Sequence, residues 1–265
     1  MRHALKGKRI INTRPTHQAA AFDDLIRARG AVPLSYPCIA IRPPEDTTRL
    51  ENAIEQLVEG RFDWLVITSA NTVFSLAQRL QEMKLALPAA KPFKVAIIGP
   101  STAEFAKSQL GITADLIPDE YVAEALADAI RPHPGMCVLL PESAIARPTL
   151  TRALAAGGAN VCVVEAYRTV CGEGGVDLPR LLAEKRVDVI TFTSSSTVEC
   201  FVERFRSEGG HTAHLSAVLV ACIGPKTAAT AQAHHLNVAI MPETYTLDAM
   251  LDALEQHFLK LTHGI

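Results

Sequence analysis

The sequence is short of most features that announce a function. No apolar run approaches the roughly 20 residues of a membrane span, which speaks against a membrane role. Neither charge dominates: 26 Lys and Arg stand against 28 Asp and Glu, and a net charge of −2 offers no long-range attraction to nucleic acid or anionic lipid. Aromatic residues are only 5% of the chain, too few for a base-stacking surface and scarcely enough to flank a flavin. There is no G-x-x-x-x-G-K-[ST] phosphate loop, no H-E-x-x-H, no G-x-S-x-G and no G-x-G-x-x-G opening a helix, so the commonest nucleotide, metalloprotease and hydrolase readings lose support. Cys171-Gly-Glu-Gly-Gly175 follows a strand but opens no helix, and its composition suggests a flexible connection. His211, His214, His234 and His235 lack matched Cys or carboxylate spacing and read as surface histidines, not a metal site.

Met1 to Ile10 is charged and has no apolar core of signal-peptide length, which predicts a cytoplasmic protein. The six cysteines, Cys38, Cys137, Cys162, Cys171, Cys200 and Cys222, include no C-x-x-C pair and fall mostly in predicted strands. Buried thiols in a reducing compartment are the expectation. No heptad run or long exposed apolar helix suggests an obligate dimer, so a monomer is the default.

What the chain does have is an internal repeat. Asp63 to Val73 (Asp-Trp-Leu-Val-Ile-Thr-Ser-Ala-Asn-Thr-Val) returns 125 residues later as Asp188 to Val198 (Asp-Val-Ile-Thr-Phe-Thr-Ser-Ser-Ser-Thr-Val). Val95 to Ala103, with Gly99-Pro100 and Thr102, returns at the same offset as Val220 to Ala228, with Gly224-Pro225 and Thr227. Ile117-Pro-Asp-Glu-Tyr121 matches Met241-Pro-Glu-Thr-Tyr245 at an offset of 124. Two copies are too few for a solenoid, so a duplicated α/β domain is expected.

At 265 residues and 48% hydrophobic, the chain is long enough for two cores. Ten β-branched runs, near 9–13, 32–36, 63–67, 95–99, 114–117, 137–141, 161–164, 188–193, 218–223 and 238–241, alternate with helical periodicity, as parallel sheets with covering helices require. Trp64 to Ile67 and Val218 to Ile223 are apolar on both faces and should be interior strands. Segments 103–110 and 247–254 carry apolar residues three and four apart, as one-sided helices do. Ten strands divide into two five-stranded sheets.

Ligands of parallel α/β sheets bind beyond the carboxyl ends of the strands, where the repeat places small hydroxyl residues. Ser196 and Glu199 are spaced as a capping box, and Ser69 or Asn71 can cap the matching helix of the first copy. Thr102 and Thr227 follow the two Gly-Pro pairs, which pre-set a helix turn. Each hydroxyl can equally be a plain helix cap; the matched pairs favour ligand-binding rims. Arg14, Arg147 and Lys226 each follow a strand end and can pair with a carboxylate, or stand as solvated surface cations. Tyr167 lies in Val-Val-Glu-Ala-Tyr-Arg-Thr, residues 163–169, where a phenol can serve as proton donor or simply pack.

These residues resemble, in order and spacing, the uroporphyrinogen-III synthase family. The likeness rests on Thr13-Arg14-Pro15, Gly30-Ala31, the Asp63 to Thr72 block, Ile98-Gly99-Pro100 with Thr102, Arg147, Gly158-Ala159, Val164-Glu-Ala-Tyr167-Arg168, Thr191-Phe-Thr-Ser194 and Ile223-Gly-Pro-Lys-Thr227-Ala, and covers essentially the whole chain. It implies two flavodoxin-like parallel-sheet domains, duplicated and discontinuous: residues 1–37 with 173–265, residues 49–165, and a two-stranded connection of 38–48 and 166–172 with the active site in the interdomain cleft. It further implies a cyclising lyase of tetrapyrrole biosynthesis (haem, sirohaem, cobalamin). Such an enzyme closes hydroxymethylbilane, a linear tetrapyrrole bearing many carboxylates, to uroporphyrinogen III, inverting the last ring through a spiro intermediate. It needs no metal or organic cofactor, and it admits a transient handover of substrate from hydroxymethylbilane synthase.

By the resemblance Tyr167 is the catalytic candidate. Arg14, Ser69, Asn71, Thr102, Arg147, Ser194, Lys226 and Thr227 are the substrate-binding candidates. Asn71 stands where some members carry a basic residue, and Lys226 where others carry a small one. The rival readings are a non-catalytic, two-lobed sensor of anions or tetrapyrroles and a flavodoxin-like electron carrier; the second fits the two-copy layout poorly.

Overall fold

A computed structural model describes residues 4–88 and 90–263, so the first three residues of the amino-terminal segment lie outside the description. The chain divides into two units, Met1–Ala40 with Val170–Ile265, and Ile41–Thr169. In the first unit β1 (Arg9–Asn12), α1 (Thr16–Ala28) and β2 (Val32–Ser35) come from the amino-terminal segment. The second unit brings β3 (Ile39–Arg42, at its boundary), α2 (Thr48–Val58), β4 (Trp64–Ile67), α3 (Ala70–Met83), β5 (Lys94–Ile97), α4 (Pro100–Leu110), α5 (Ala123–Ile130), β6 (Cys137–Ser143), α6 (Thr149–Ala156) and β7 (Asn160–Cys171). The chain then completes the first unit with α7 (Leu178–Ala183), β8 (Val189–Phe192), α8 (Ser195–Ser207), β9 (Leu219–Cys222), α9 (Pro225–Ala233), β10 (Val238–Ile240) and α10 (Leu247–His263).

Both sheets have five strands, ordered β10-β9-β8-β1-β2 and β3-β7-β6-β4-β5. In the first unit, β1 pairs in parallel with β2 and β8, β8 with β9, and β9 with β10. Counted along the chain within that unit, this is the doubly wound order 2-1-3-4-5, with its switch point between β1 and β8. The second unit has the same order entered at a different strand: β7-β6-β4-β5 is parallel throughout, and a single parallel bridge from Ala96 to Leu116 stands where β10 stands in the first unit. Its switch point lies between β6 and β4. The interior positions expected for the Trp64 and Val218 runs are therefore observed.

The repeat is explained by this equivalence. Asp188 takes the Arg9 backbone N–H on Oδ2 at 2.8 Å, and Asp63 takes the Cys137 backbone N–H on Oδ2 at 2.7 Å. Each repeated aspartate thus fastens the start of its own strand to the start of the neighbour across the switch point. Four apolar clusters fill the two units, two in each, one on either face of each sheet. Strand residues such as Leu65, Val66, Ile190 and Val189 contribute alternately to the two faces, which is why the strands read as unbroken apolar runs.

Three local expectations are corrected. Residues 114–117 form one bridge and no strand: Ile117 is exposed and Pro118, which has no N–H, ends the ladder. Gly172 and Gly175 are tightly packed, not loose. A Cβ at Gly172 would fall on the Pro37 carbonyl and one at Gly175 on the Ser35 carbonyl, and the buried Arg204 guanidinium donates to Pro37 O at 2.8 Å and Gly174 O at 2.6 Å. Finally, Cys171 at the end of β7 and Cys200 in α8 form a disulfide with Cα atoms 5.1 Å apart. The other four cysteines are free; Cys38 and Cys222 are buried, and burial pushes the Cys222 thiol up to about 12.

Candidate active site

Sequence places a hydroxyl residue at the first bend after each repeated strand, and the structure uses it to start a helix. Ser69, extended at φ −157°, accepts the Thr72 backbone N–H at 3.2 Å at the start of α3. Ser194, at φ −160°, accepts the Thr197 N–H at 3.3 Å at the start of α8, and Thr197 returns a hydroxyl acceptor to the Ser194 N–H. The capping box is therefore Ser194 with Thr197, not Ser196 with Glu199. Ser196 instead lies within α8, its Oγ 3.1 Å from that of Ser194. Asn71 is inside the first turn of α3 and is not the cap.

In the second unit, four adjacent strand ends carry the candidates: Tyr167 on β7, Arg147 after β6, Ser69 and Asn71 after β4, and Thr102 after β5. Tyr167 and Ser69 meet. Their hydroxyl oxygens are 3.1 Å apart, either able to donate, across the carboxyl end of β6. A register shift makes this contact: Glu142 pairs with Glu165 but Ser143 pairs with Tyr167, so β7 carries one extra residue. Strict alternation would put Tyr167 on the exposed side with Glu165; the bulge turns it inward, where it is 7% exposed. Ser75 fixes the same place by donating to the Ala166 carbonyl. Arg147 is exposed between β6 and α6. Thr102 is buried in the first turn of α4.

Beside the rim lies a cavity of about 360 Å³ lined by Glu45, Asp46, Arg49, Ala144, Glu165 and Arg168. Three carboxylates against two guanidiniums make it a poor anion site.

In the first unit Arg14 follows β1, Ser194 follows β8, and Lys226 and Thr227 follow β9. Thr13 donates to Thr191 O at 2.6 Å and Thr191 donates to Ile11 O at 2.7 Å, which locks β1 to β8 at the switch point. Arg14 is half-buried; its guanidinium donates to Gln18 O at 3.2 Å and Gln18 Oε1 at 2.7 Å, and burial holds it below its ordinary pKa range. Lys226 is exposed at the start of α9. Thr230 donates to Ser195 Oγ at 2.9 Å, tying α9 to the start of α8. Thr227 is buried, as Thr102 is.

Among the described residues no group of three or more His, Cys, Asp or Glu is placed to hold a metal ion, and no helix is long and apolar enough to cross a membrane. One feature of the rims was not assigned from sequence: Tyr121 and Tyr245, the last residues of the third repeat block, lie over Gly99 and Gly224.

The family model of uroporphyrinogen-III synthase HemD matches residues 20–252 of this chain. The chain belongs to the uroporphyrinogen-III synthase family. It is 35% identical over 257 residues to the uroporphyrinogen-III synthase of Synechococcus elongatus, covering 95% of this chain and 96% of that one. It is 27% identical over 244 residues to the uroporphyrinogen-III synthase of Chlorobaculum parvum, covering 90% and 94%. Its fold is like that of a uroporphyrinogen III synthase from Thermus thermophilus, with a TM-score of 0.59 at 22% identity over 96% of this chain and all of that one. The family's two-domain α/β architecture is thus the architecture of this chain, and the sensor alternative finds no support among its relatives.

Proposed function

We propose that this chain closes hydroxymethylbilane to uroporphyrinogen III, as a cyclising lyase of tetrapyrrole biosynthesis, and that Tyr167 helps the terminal hydroxyl leave. Membership of the family over nearly the whole chain supports the reaction. The Tyr167–Ser69 contact supports the role. The terminal C–O bond breaks as the oxygen takes a proton from the Tyr167 hydroxyl and departs as water, while the electron pair of the ring nitrogen makes the carbon an electrophilic azafulvene. The substituted carbon of the last ring attacks that carbon to give the spiro intermediate. Fragmentation and re-closure at the other position then expel a proton that restores the phenol. Carbon–carbon bonds are exchanged and one water is lost, with no net redox change.

Since the bare substrate closes without inversion, the protein's task is to hold one folded geometry and stabilise the charge that develops. Arg14 and Lys226 in the first unit and Arg147 in the second are the cations at strand ends suited to substrate carboxylates, and Ser194 and Thr227 in the first unit and Asn71 and Thr102 in the second are the polar candidates. The half-buried Arg14 guanidinium is the strongest of these as a binding group, because it is already partly desolvated and fixed by Gln18. The test is to supply freshly generated hydroxymethylbilane and resolve the uroporphyrin isomers after oxidation. Predominantly type III product is expected; only type I, as from spontaneous closure, overturns the reading.

A further inference from the structure

The start of α3 carries three hydroxyls at a spacing of three residues, Ser69, Thr72 and Ser75. The first two are accounted for by the helix start. Ser69 accepts the Thr72 backbone N–H, and its Oγ lies 3.1 Å from Thr72 Oγ1. Ser75 lies beyond the first four residues of the helix, so no orphan backbone N–H needs it as a cap. Its hydroxyl leaves the helix and donates to the Ala166 carbonyl of β7.

The internal repeat supplies a comparison within the same chain. At the offset of 125 residues Ser69 and Thr72 return in α8 as Ser194 and Thr197, which cap that helix in the same way. Ser75 returns as Cys200, whose sulfur is bonded to Cys171. The capping hydroxyls are thus common to both units, while the third belongs only to the unit that carries Tyr167.

Ala166 is the residue that the bulge adds. Glu165 pairs with Glu142 and Tyr167 with Ser143, which leaves Ala166 without a partner on β6. It is fully buried, and a buried carbonyl needs a donor; Ser75, itself buried, supplies one. The two contacts share their elements. Ser69 and Ser75 sit on α3, and Ala166 and Tyr167 are consecutive on β7, so the Ser75 bond sets the spacing of helix and strand one residue away from the contact of the Tyr167 and Ser69 hydroxyls.

We propose that Ser75 is a positioning residue for Tyr167: by holding the Ala166 carbonyl it keeps the bulge of β7 formed and the phenol aimed at Ser69. This rests on the proton-donor role given to Tyr167 above. Val73, Leu76 and Val164 belong to the same apolar cluster as Tyr167, but apolar packing is non-directional, whereas a hydrogen bond fixes one hydroxyl to one carbonyl. Strict alternation along β7 is the competing arrangement, and it would carry the ring away from Ser69.

The test uses the full chain with Ser75→Ala, Ser75→Thr and Ser75→Cys, and with Ser75→Ala combined with Tyr167→Phe. Ser75→Ala is expected to lower kcat for type III product about fivefold, the factor that one hydrogen bond is worth, with KM for hydroxymethylbilane unchanged. Ser75→Thr keeps the hydroxyl and should recover most of the rate. Ser75→Cys keeps the bulk with a weak donor and should fall between, which carries the test if the Ala variant does not fold. In the Tyr167→Phe background Ser75→Ala should cost nothing further, because the group it positions is gone. An equal loss in both backgrounds would show a general structural role and overturn the proposal. Ring-labelled tyrosine resonances give a readout independent of turnover: the chain has four tyrosines, Tyr167→Phe assigns one signal, and Ser75→Ala should shift that signal alone. A Tyr167 signal that stays in place in the folded Ser75 variants also overturns the proposal. A wild type that yields only type I, or a Tyr167→Phe variant with full turnover, sinks the underlying reading, and this proposal with it.

Discussion

Two single residues show how local chemistry is set. Tyr167 is held by its bulge on β7 with its hydroxyl on Ser69. Tyr167→Phe removes the proton donor and no packing, so turnover should fall several-fold while the thermal midpoint stays put; unchanged turnover would remove Tyr167 from the chemistry. Asp188 answers a different question, that of acid stability. Burial by itself would raise its pKa, but hydrogen bonds from the Arg9 side chain and backbone, with the Arg9 charge, outweigh burial and leave the carboxyl below its usual range. A carboxyl depressed in the folded state stabilises that state above its unfolded value near 4, and the contribution fades as pH falls through the lower folded value. Asp188→Ala should therefore cost about 1–2 kcal/mol at neutral pH, with the gap to wild type narrowing below about pH 4 in denaturant titrations. A gap independent of pH would show that the charge is irrelevant.

At the scale of elements, the disulfide makes the clearest prediction. Cys171–Cys200 joins the end of β7 to α8 across 29 residues, a loop whose closure is worth about 3.5 kcal/mol on the chain-entropy account. Reduction, or Cys171→Ser, should lower the midpoint of thermal unfolding by several degrees, and identical midpoints with and without a thiol reductant would mean the bond is not closed in solution. Nothing in the sequence disclosed this pair, because the partners lie 29 residues apart on different elements, β7 and α8, with no spacing motif to join them. The repeated strands were legible since being buried on both faces leaves an unbroken apolar run. Residues 114–117 were overread because apolar content does not reveal that Pro118 cuts the ladder short. The helix starts at Ser69 and Ser194 were legible as hydroxyl clusters, but choosing between Ser194 and Ser196 required the backbone φ. Of the candidate site, the meeting of Tyr167 with Ser69 depends on a one-residue register shift, which periodicity cannot locate.

At the scale of the molecule, the second unit is one continuous stretch with two apolar clusters of its own, whereas the first is assembled from both ends of the chain. A fragment spanning 39–169, which keeps β3, should fold alone, giving a cooperative thermal transition and native-like near-ultraviolet dichroism. A molten or aggregated fragment would show that the unit depends on the rest of the chain. The same arrangement governs the order of events during synthesis. β1 and β2 leave the ribosome well ahead of β8, the strand that β1 needs on its other side, which begins only at Val189. At roughly 5–20 residues per second, the gap between Ser35 and Val189 lasts on the order of ten seconds. For that time the opening βαβ segment waits with half a sheet and an unpaired edge while the inserted unit completes itself. A nascent chain of this kind invites chaperone capture at its amino-terminal segment, and slowing translation lengthens the exposure without helping the first unit to fold.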